Sequence, residues 1–250
     1  MQILLLNPNM TAAMTIGMAK VARTVASDSV DIVTSTATKG FPYISSRAEA
    51  LIAGSIVLET IAEHERTADG VIIAAFGDPG LKAAQEQFNL PIVGMAQASI
   101  VTASLLGERF SIVTFTPLMS RWYLDSVLDS GLTDRFLGVK TPEAGKLDAF
   151  ADQSSMETEL LSLINKTIDD DGADVVILGG APLAGMAMRL QSEVDALLLD
   201  PISSAISLLE SLVRVSDKNA FSRRHSRPVK KTSTGLPEVL ARSMSIAVTD

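Results

Sequence analysis

Two patterns of apolar residues alternate along this chain. Short continuous apolar runs at 3–6, 30–34, 71–74, 92–94, 111–115, 175–178 and 196–199 are bounded by glycine, proline or polar residues and predict buried strands. Longer stretches between them, at 11–26, 47–65, 79–88, 96–106, 117–128, 156–169 and 201–213, predict helices. In 47–65, for example, Leu51, Ile52, Ile56, Leu58 and Ile61 keep approximately to the helical repeat. Strand and helix in strict alternation point to βαβ units around a parallel sheet, an α/β fold.

Two of the strand-to-helix passages are copies of each other. Residues 71–81, VIIAAFGDPGL, and 175–185, VVILGGAPLAG, each read as a buried strand that ends in a glycine-containing turn and opens a helix. Ala68-Asp69 matches Ala173-Asp174, Val71-Ile72 matches Val176-Ile177, and Gly80 matches Gly185, at a constant spacing of 105 residues. The same spacing makes Ala75 and Gly180 equivalent. It also sets Pro91-Ile92-Val93 before Ala98-Ser99 opposite Ala196-Leu197-Leu198 before Ser203-Ser204, while residues 4–9 lie opposite 111–116 with a small gap. A duplicated unit of this kind is expected to fold as two pseudo-symmetric lobes, each a short, mainly parallel sheet flanked by helices. The crevice between them then faces the carboxyl ends of both sheets, where ligands usually sit. The expected division is 1–98 with 207–250 in the first lobe and 99–206 in the second.

Composition narrows the function classes. With 250 residues, 47% hydrophobic and 20% charged, the chain can bury a substantial core. A net charge of −8 argues against a nucleic-acid partner. No apolar run approaches the roughly 20 residues that cross a bilayer, so no membrane association is expected. Residues 1–9 lack a basic n-region and read as a first strand and turn rather than a signal segment, which leaves the cytoplasm as the expected compartment. The absence of cysteine removes disulfides and thiolate metal sites. Residues 216–234 are polar and carry Arg223, Arg224, Arg227, Lys230 and Lys231 around Pro228; they read as a solvated tail wrapping one lobe, ahead of a short helix at 235–241.

The turns carry the candidate chemistry. Asp78-Pro79, Thr116-Pro117, Ala181-Pro182 and Asp200-Pro201 all sit where a strand hands over to a helix. Asp and Thr cap helices and proline suits the first helical position, so Asp78 and Thr116 are expected as caps. Several helix N-termini converging on one crevice would also present backbone N–H groups to a small anion or a polarised carbonyl. Asn9, Thr114 and Thr116, with the N–H groups near Phe76, Gly77 and Ala181, and with Asp78 and Pro182 beside them, are therefore the expected substrate-binding residues. Neither glycine segment is a nucleotide signature, and no GxSxG, HExxH or CxxC motif is present. His64 and His225 read as solvated side chains. Phe41-Pro42-Tyr43 reads as loop packing, with a lid or wall over the crevice as the other reading, and Trp122-Tyr123 as packing inside a helix.

Asn7-Pro8-Asn9 with Thr11 and Met14-Thr15, residues 76–81 (FGDPGL), Ser111-Ile112-Val113-Thr114, residues 179–185 (GGAPLAG) and Thr234-Gly235-Leu236 follow one another in the order of a known family. The chain resembles the aspartate/glutamate/hydantoin racemase superfamily, in its hydantoin and allantoin racemase branch, over almost its whole length. The resemblance implies two pseudo-symmetric α/β lobes, no cofactor, a homo-oligomer, and a small substrate with carboxylate, carbonyl or ureide groups. It also implies a thiolate/thiol pair, one from each lobe, that removes and returns the Cα proton. Carried over by position, those thiols fall on Ala75 and Gly180, neither of which transfers a proton. A related decarboxylase branch works with one thiol, in the second lobe, which this chain also lacks. With the thiols missing, Asp78 and Tyr43 are the other candidates for chemistry, and a binding protein that keeps the crevice is the alternative to an isomerase.

Overall fold

The computed structural model describes residues 1–147, 149–221, 223–224 and 228–245. Strands and helices alternate as β1 (Gln2–Asn7), α1 (Ala12–Val25), β2 (Asp31–Thr36), α2 (Arg47–His64), β3 (Gly70–Ile73), α3 (Leu81–Gln87), β4 (Ile92–Gly94) and α4 (Met95–Leu106). They continue as β5 (Phe110–Val113), α5 (Ser120–Ser130), β6 (Phe136–Lys140), α6 (Gln153–Asp171), β7 (Val175–Leu178), α7 (Met186–Leu190), β8 (Leu197–Leu199), α8 (Pro201–Val215), α9 (Lys218–Phe221) and α10 (Glu238–Met244). Two parallel four-stranded sheets result, ordered β2-β1-β3-β4 and β6-β5-β7-β8. Their registers correspond: Leu4 pairs with Val71 in the first sheet, and Ser111 with Val176 in the second. The expected duplicated α/β architecture is the one present.

Each sheet is covered on both faces, which is why its central strands read as unbroken apolar runs. Leu4, Leu6, Val71 and Ile73 point outward against Val57 and Ile61 of α2 and Phe88 beyond α3. Val113, Val176 and Leu178 do the same in the second sheet, against Leu160 and Ile164 of α6 and Met186 of α7. The opposite faces share one core: Ile3, Leu5 and Ile72 from the first sheet, Ile112, Val175 and Ile177 from the second, and Ile100, Ile202 and Ile206 from α4 and α8. Helix α8 follows the last strand of the second sheet but packs on α1, α4 and β3.

The structure departs from the sequence reading at several elements. In α2 the buried positions are Ala50, Ala53, Gly54, Ile56, Val57 and Ile61, whereas Leu51 and Ile52 are exposed and Leu58 is half-buried. The cause is a close backbone approach: a Cβ on Gly54 would stand 3.1 Å from the Gly80 nitrogen, so the small side of the helix turns inward. Strand β6 was not expected; it is a half-buried edge strand with Gly138 at φ 140 in its middle, and shows neither a continuous nor an alternating apolar pattern. The expected helix at 117–128 begins as a 3-10 turn, Pro117–Met119, before α5. Helix α6 starts before residue 156 because Asp152 caps it through the Ser155 N–H at 3.0 Å. The last helix is α10, not 235–241, since Gly235 has φ 77 and Pro237 precedes the first turn.

The tail is anchored. The Arg224 guanidinium donates to the carbonyls of Gln85 (2.6 Å) and Phe88 (2.9 Å) at the end of α3, where free carbonyls and the helix dipole favour a cation. His225 and Arg227 lie outside the described residues.

Candidate active site

The two copied turns lead from β3 and from β7 to one aromatic junction. Ala75 is 7% exposed and follows the buried Ala74; Gly180 is buried, with φ 130 and ψ 139. The Phe76 ring stacks edge-on to Tyr123 of α5 at 4.6 Å between centroids. Its Cε1 lies 3.1 Å from the point where a Cβ on Gly179 would stand. A Cβ on Gly180 would meet Phe115 Cε1 at 2.9 Å and the Tyr123 hydroxyl at 3.6 Å. Both the backbone conformation and the crowding thus keep side chains out of position 180. Tyr43 reaches across to the second lobe, its ring 6.0 Å from Phe115, so the 41–43 loop forms a wall of the junction. That loop is held by the Met10 N–H to Phe41 O (2.9 Å) and by Thr11 Oγ1 donating to Pro42 O (2.6 Å). Burial pushes the Tyr43 and Tyr123 phenols above their ordinary range, with the neighbouring phenol adding to the shift at Tyr43. Both therefore stay protonated donors at neutral pH.

The polar residues at the strand ends differ between lobes. Asn7 is fully buried; its Nδ2 donates to Asn9 Oδ1 (3.0 Å) and Thr15 Oγ1 (2.9 Å), and its Oδ1 accepts from the Asn9 N–H (3.1 Å). Asn9 Oδ1 also accepts from the Thr11 N–H at 2.9 Å, which leaves its Nδ2 against Met14 Sδ at 3.6 Å. The Asn9 amide is thus positioned by its neighbours and keeps donor capacity. Asn7 carries this arrangement, and sequence reasoning placed it only within a motif. Opposite Asn7, Thr114 is fully buried, and the group its Oγ1 acts on is the Tyr123 phenol, whose pKa it draws downward. Thr116 accepts from the Leu118 N–H at 3.5 Å, a long version of the expected cap.

Asp78 does not cap its own helix. Helix α3 begins at Leu81 with Gly80 before it in the left-handed region, and Asp78 itself has φ 50. Its carboxylate accepts instead from the Ala96 and Gln97 N–H groups at 2.9 and 2.7 Å, closing the N-terminus of α4. Burial lifts this carboxyl to about 7 against the pull of those two donors. Gly77 and Asp78 line a cavity of about 310 Å³ together with Gln97 and with Ser126 and Asp129 of α5. The Trp122 indole lies against Gly77, where a Cβ would come within 2.4 Å of it. The Asp78 carboxylate is therefore engaged by the N-terminus of α4, while its charge still acts on the Tyr123 phenol and raises that pKa.

A second cavity of about 280 Å³ crosses the lobes beside the junction, between Thr11 and Met14 of the first and Ala181 and Pro182 of the second. The expected site residues thus fall into two groups. Ala181 and Pro182 line this cleft and Phe76 and Thr114 meet Tyr123 at the junction, whereas Gly77 and Asp78 line the other cavity; Asn9 and Thr116 follow β1 and β5, at the carboxyl ends of the strands. Among the described residues, no backbone acceptor meets the N–H groups of Phe76, Gly77, Gly180 and Ala181. These donors suit a carboxylate or carbonyl oxygen. No cluster of three or more His, Asp or Glu side chains converges as a metal site among the described residues, and no described helix is long and apolar enough to cross a membrane.

Comparison with known proteins agrees with this architecture. The Asp/Glu/hydantoin racemase family model matches residues 3–209. A hydantoin racemase from a Pseudomonas species is 31% identical over 98% of this chain and 99% of its own length. That of Paenarthrobacter aurescens is 30% identical over 92% of this chain and 99% of its own. The allantoin racemase structure from Klebsiella pneumoniae superposes with a TM-score of 0.86 at 28% identity, covering 98% of both chains.

Proposed function

The chain belongs to the Asp/Glu/hydantoin racemase family, a racemase-like isomerase by descent, and from that premise we propose that it holds a small amino-acid derivative at the interlobe junction with slow Cα chemistry. The ligand is a hydantoin, a ureide such as allantoin, or an amino acid. The Asn9 amide and the N–H groups of the two turns hold its carbonyl or carboxylate oxygen, and no cofactor takes part. What supports the slow chemistry is that the internal repeat equates Ala75 with Gly180, the two positions onto which the resemblance carries the family's thiol pair. Neither side chain moves a proton, and position 180 has a backbone and a neighbour, Phe115, that resist any side chain.

Calorimetry with hydantoin, allantoin and a set of amino acids tests the recognition half of the proposal. At least one is expected to bind, and Asn9→Ala is expected to weaken it by about tenfold, the loss of one or two hydrogen bonds to a polarised oxygen. No binding by any of the panel, or unchanged affinity in both Asn9→Ala and Thr114→Val, would overturn it. The family likeness further supports a homo-oligomer, which sedimentation velocity reads directly.

A further inference from the structure

The cavity of about 310 Å³ lies between α3 and α5, at the lower end of the roughly 300–1,000 Å³ that small-molecule sites span. Its polar side chains are Asp78, Lys82, Gln85, Gln97, Ser126, Asp129 and Ser130, and the rest of its wall comes from glycine, leucine and alanine between 77 and 83. Several of these groups are already engaged. The Asp78 carboxylate accepts from the Ala96 and Gln97 N–H groups, and Lys82 pairs with Asp129 at 2.6 Å, both of them largely exposed. Ser130 Oγ donates to Val127 O (2.6 Å) and accepts from the Leu132 N–H (3.2 Å). The two glutamines differ. Ile92 O can only accept, so the Gln85 atom 2.8 Å from it is the amide nitrogen, whose second hydrogen goes to Gln97 Oε1 at 3.1 Å. Gln97 is then left with its Nε2 as a donor and Gln85 with its Oε1 as an acceptor, on adjoining side chains.

We propose that this cavity is a second binding site, separate from the junction, for a small neutral molecule with a carboxamide or ureido group. The ligand carbonyl accepts from Gln97 Nε2 and a ligand N–H donates to Gln85 Oε1, so a donor and an acceptor on one edge of the ligand meet their complements. A carboxylate in the same place would face two carboxyl groups, Asp78 and Asp129, and one cation that is already paired. An ammonium would have to take Asp129 from Lys82. A neutral amide meets neither cost. The site shares Gly77 with the turn that leads from Phe76, yet it needs no ligand at the junction.

The test is a ligand-observed NMR titration of the full chain with three molecules of similar length: succinamide, succinate and 1,4-diaminobutane. Succinamide is expected to bind about tenfold or more tighter than either ion. Gln97→Glu keeps the oxygen that accepts from Gln85 and removes the donor, whereas Ala83→Leu fills the cavity from an exposed position on α3. Each should weaken succinamide by about tenfold, and Asn9→Ala should leave it unchanged. Absence of succinamide binding, equal affinity for either ion, or affinity that survives either substitution overturns the inference. Loss of binding in Asn9→Ala overturns it too, and moves the amide to the junction. Binding of hydantoin at the junction is read separately through Asn9, so failure here leaves the functional reading standing.

Discussion

In the first lobe the carboxylate that joins the turn after β3 to the helix after β4 comes from the turn; in the second lobe it comes from the helix. Asp78 reaches forward to the Ala96 and Gln97 N–H groups at 2.9 and 2.7 Å. Asp200 instead caps α8, accepting from Ile202 and Ser203 at 2.9 and 3.0 Å, and reaches back to the Gly185 N–H at 2.5 Å. The same junction is closed from opposite sides. The first solution forces Asp78 to φ 50 and demands glycine at 94, where a Cβ would stand 2.0 Å from the Asp78 carboxyl carbon. The second allows Leu199 at the matching position. Asn7 and Thr114 diverge in the same way, one at the centre of a polar network and the other buried beside the Tyr123 phenol. Duplication has preserved backbone and register while each lobe found its own side chains. That divergence is how two equivalent turns can end in alanine and glycine without loss of the fold.

The largest effect should come from Asp200→Ala. It removes an acceptor shared by three N–H groups, two of them buried with it, and should lower unfolding free energy by about 3 kcal/mol in urea denaturation. Asp78→Ala should cost about 1 kcal/mol, because the site is partly exposed and the left-handed strain at 78 is not strongly favoured by either residue. Equal losses would break the contrast between the lobes.

Next in size is Gly180→Cys, expected to destabilise by about 2–3 kcal/mol through positive φ and contact with Phe115. Ala75→Cys should stay within about 1 kcal/mol, since that position carries a Cβ already. The comparison would fail if position 180 accepted cysteine as readily as position 75.

A pH titration sharpens the account of Asp78. Its carboxyl sits at about 7 in the folded chain against an ordinary value of 3.8, so the native state holds this proton more tightly than the unfolded state. The resulting stabilisation is full below about pH 4 and is lost as pH rises through 7. Partial exposure limits it to about 2 kcal/mol. Asp78→Asn should flatten this limb of the stability profile, measured by urea unfolding from pH 4 to pH 8; an unchanged limb would show that another group titrates there.

The smallest effect is at the tail. Arg224→Ala should cost about 0.5 kcal/mol and raise amide exchange at the end of α3 through loss of its carbonyl contacts, while leaving β7 and β8 unaffected.

The βαβ alternation and the repeat made the architecture legible because they depend on periodicity and spacing, which a sequence displays. Residues 175–178 and 92–94 were read at their observed bounds for this reason. Edge strand β6 was not legible, since Phe136–Lys140 is half-buried throughout and bent at a glycine. The inward face of α2 was misread because Gly54 and the alanines approach the Gly80 backbone, a tertiary contact that overrides the apolar pattern. At the site, the turns at 75 and 180 were located by the repeat alone. The direction of Asp78 was not, because an Asp-Pro pair signals a local cap whether or not the carboxylate turns to a helix 18 residues away. The aromatic junction of Phe76, Phe115, Tyr43 and Tyr123 was also hidden, as it gathers four distant segments.

Cα deuterium exchange of a 5-substituted hydantoin in D₂O, on the unmodified chain and on Ala75→Cys, tests the central claim most directly. General acid–base catalysis supplies about 10²–10⁴-fold, and Ala75 and Gly180, the positions proposed for the thiol pair, have no group to supply it. The account predicts exchange near the buffer rate for the unmodified chain. Ala75→Cys should accelerate exchange by about 10²-fold or more without matching racemisation, because the Gly180 face still offers no thiol. Rapid exchange by the unmodified chain would contradict the claim and show that another base acts at the junction.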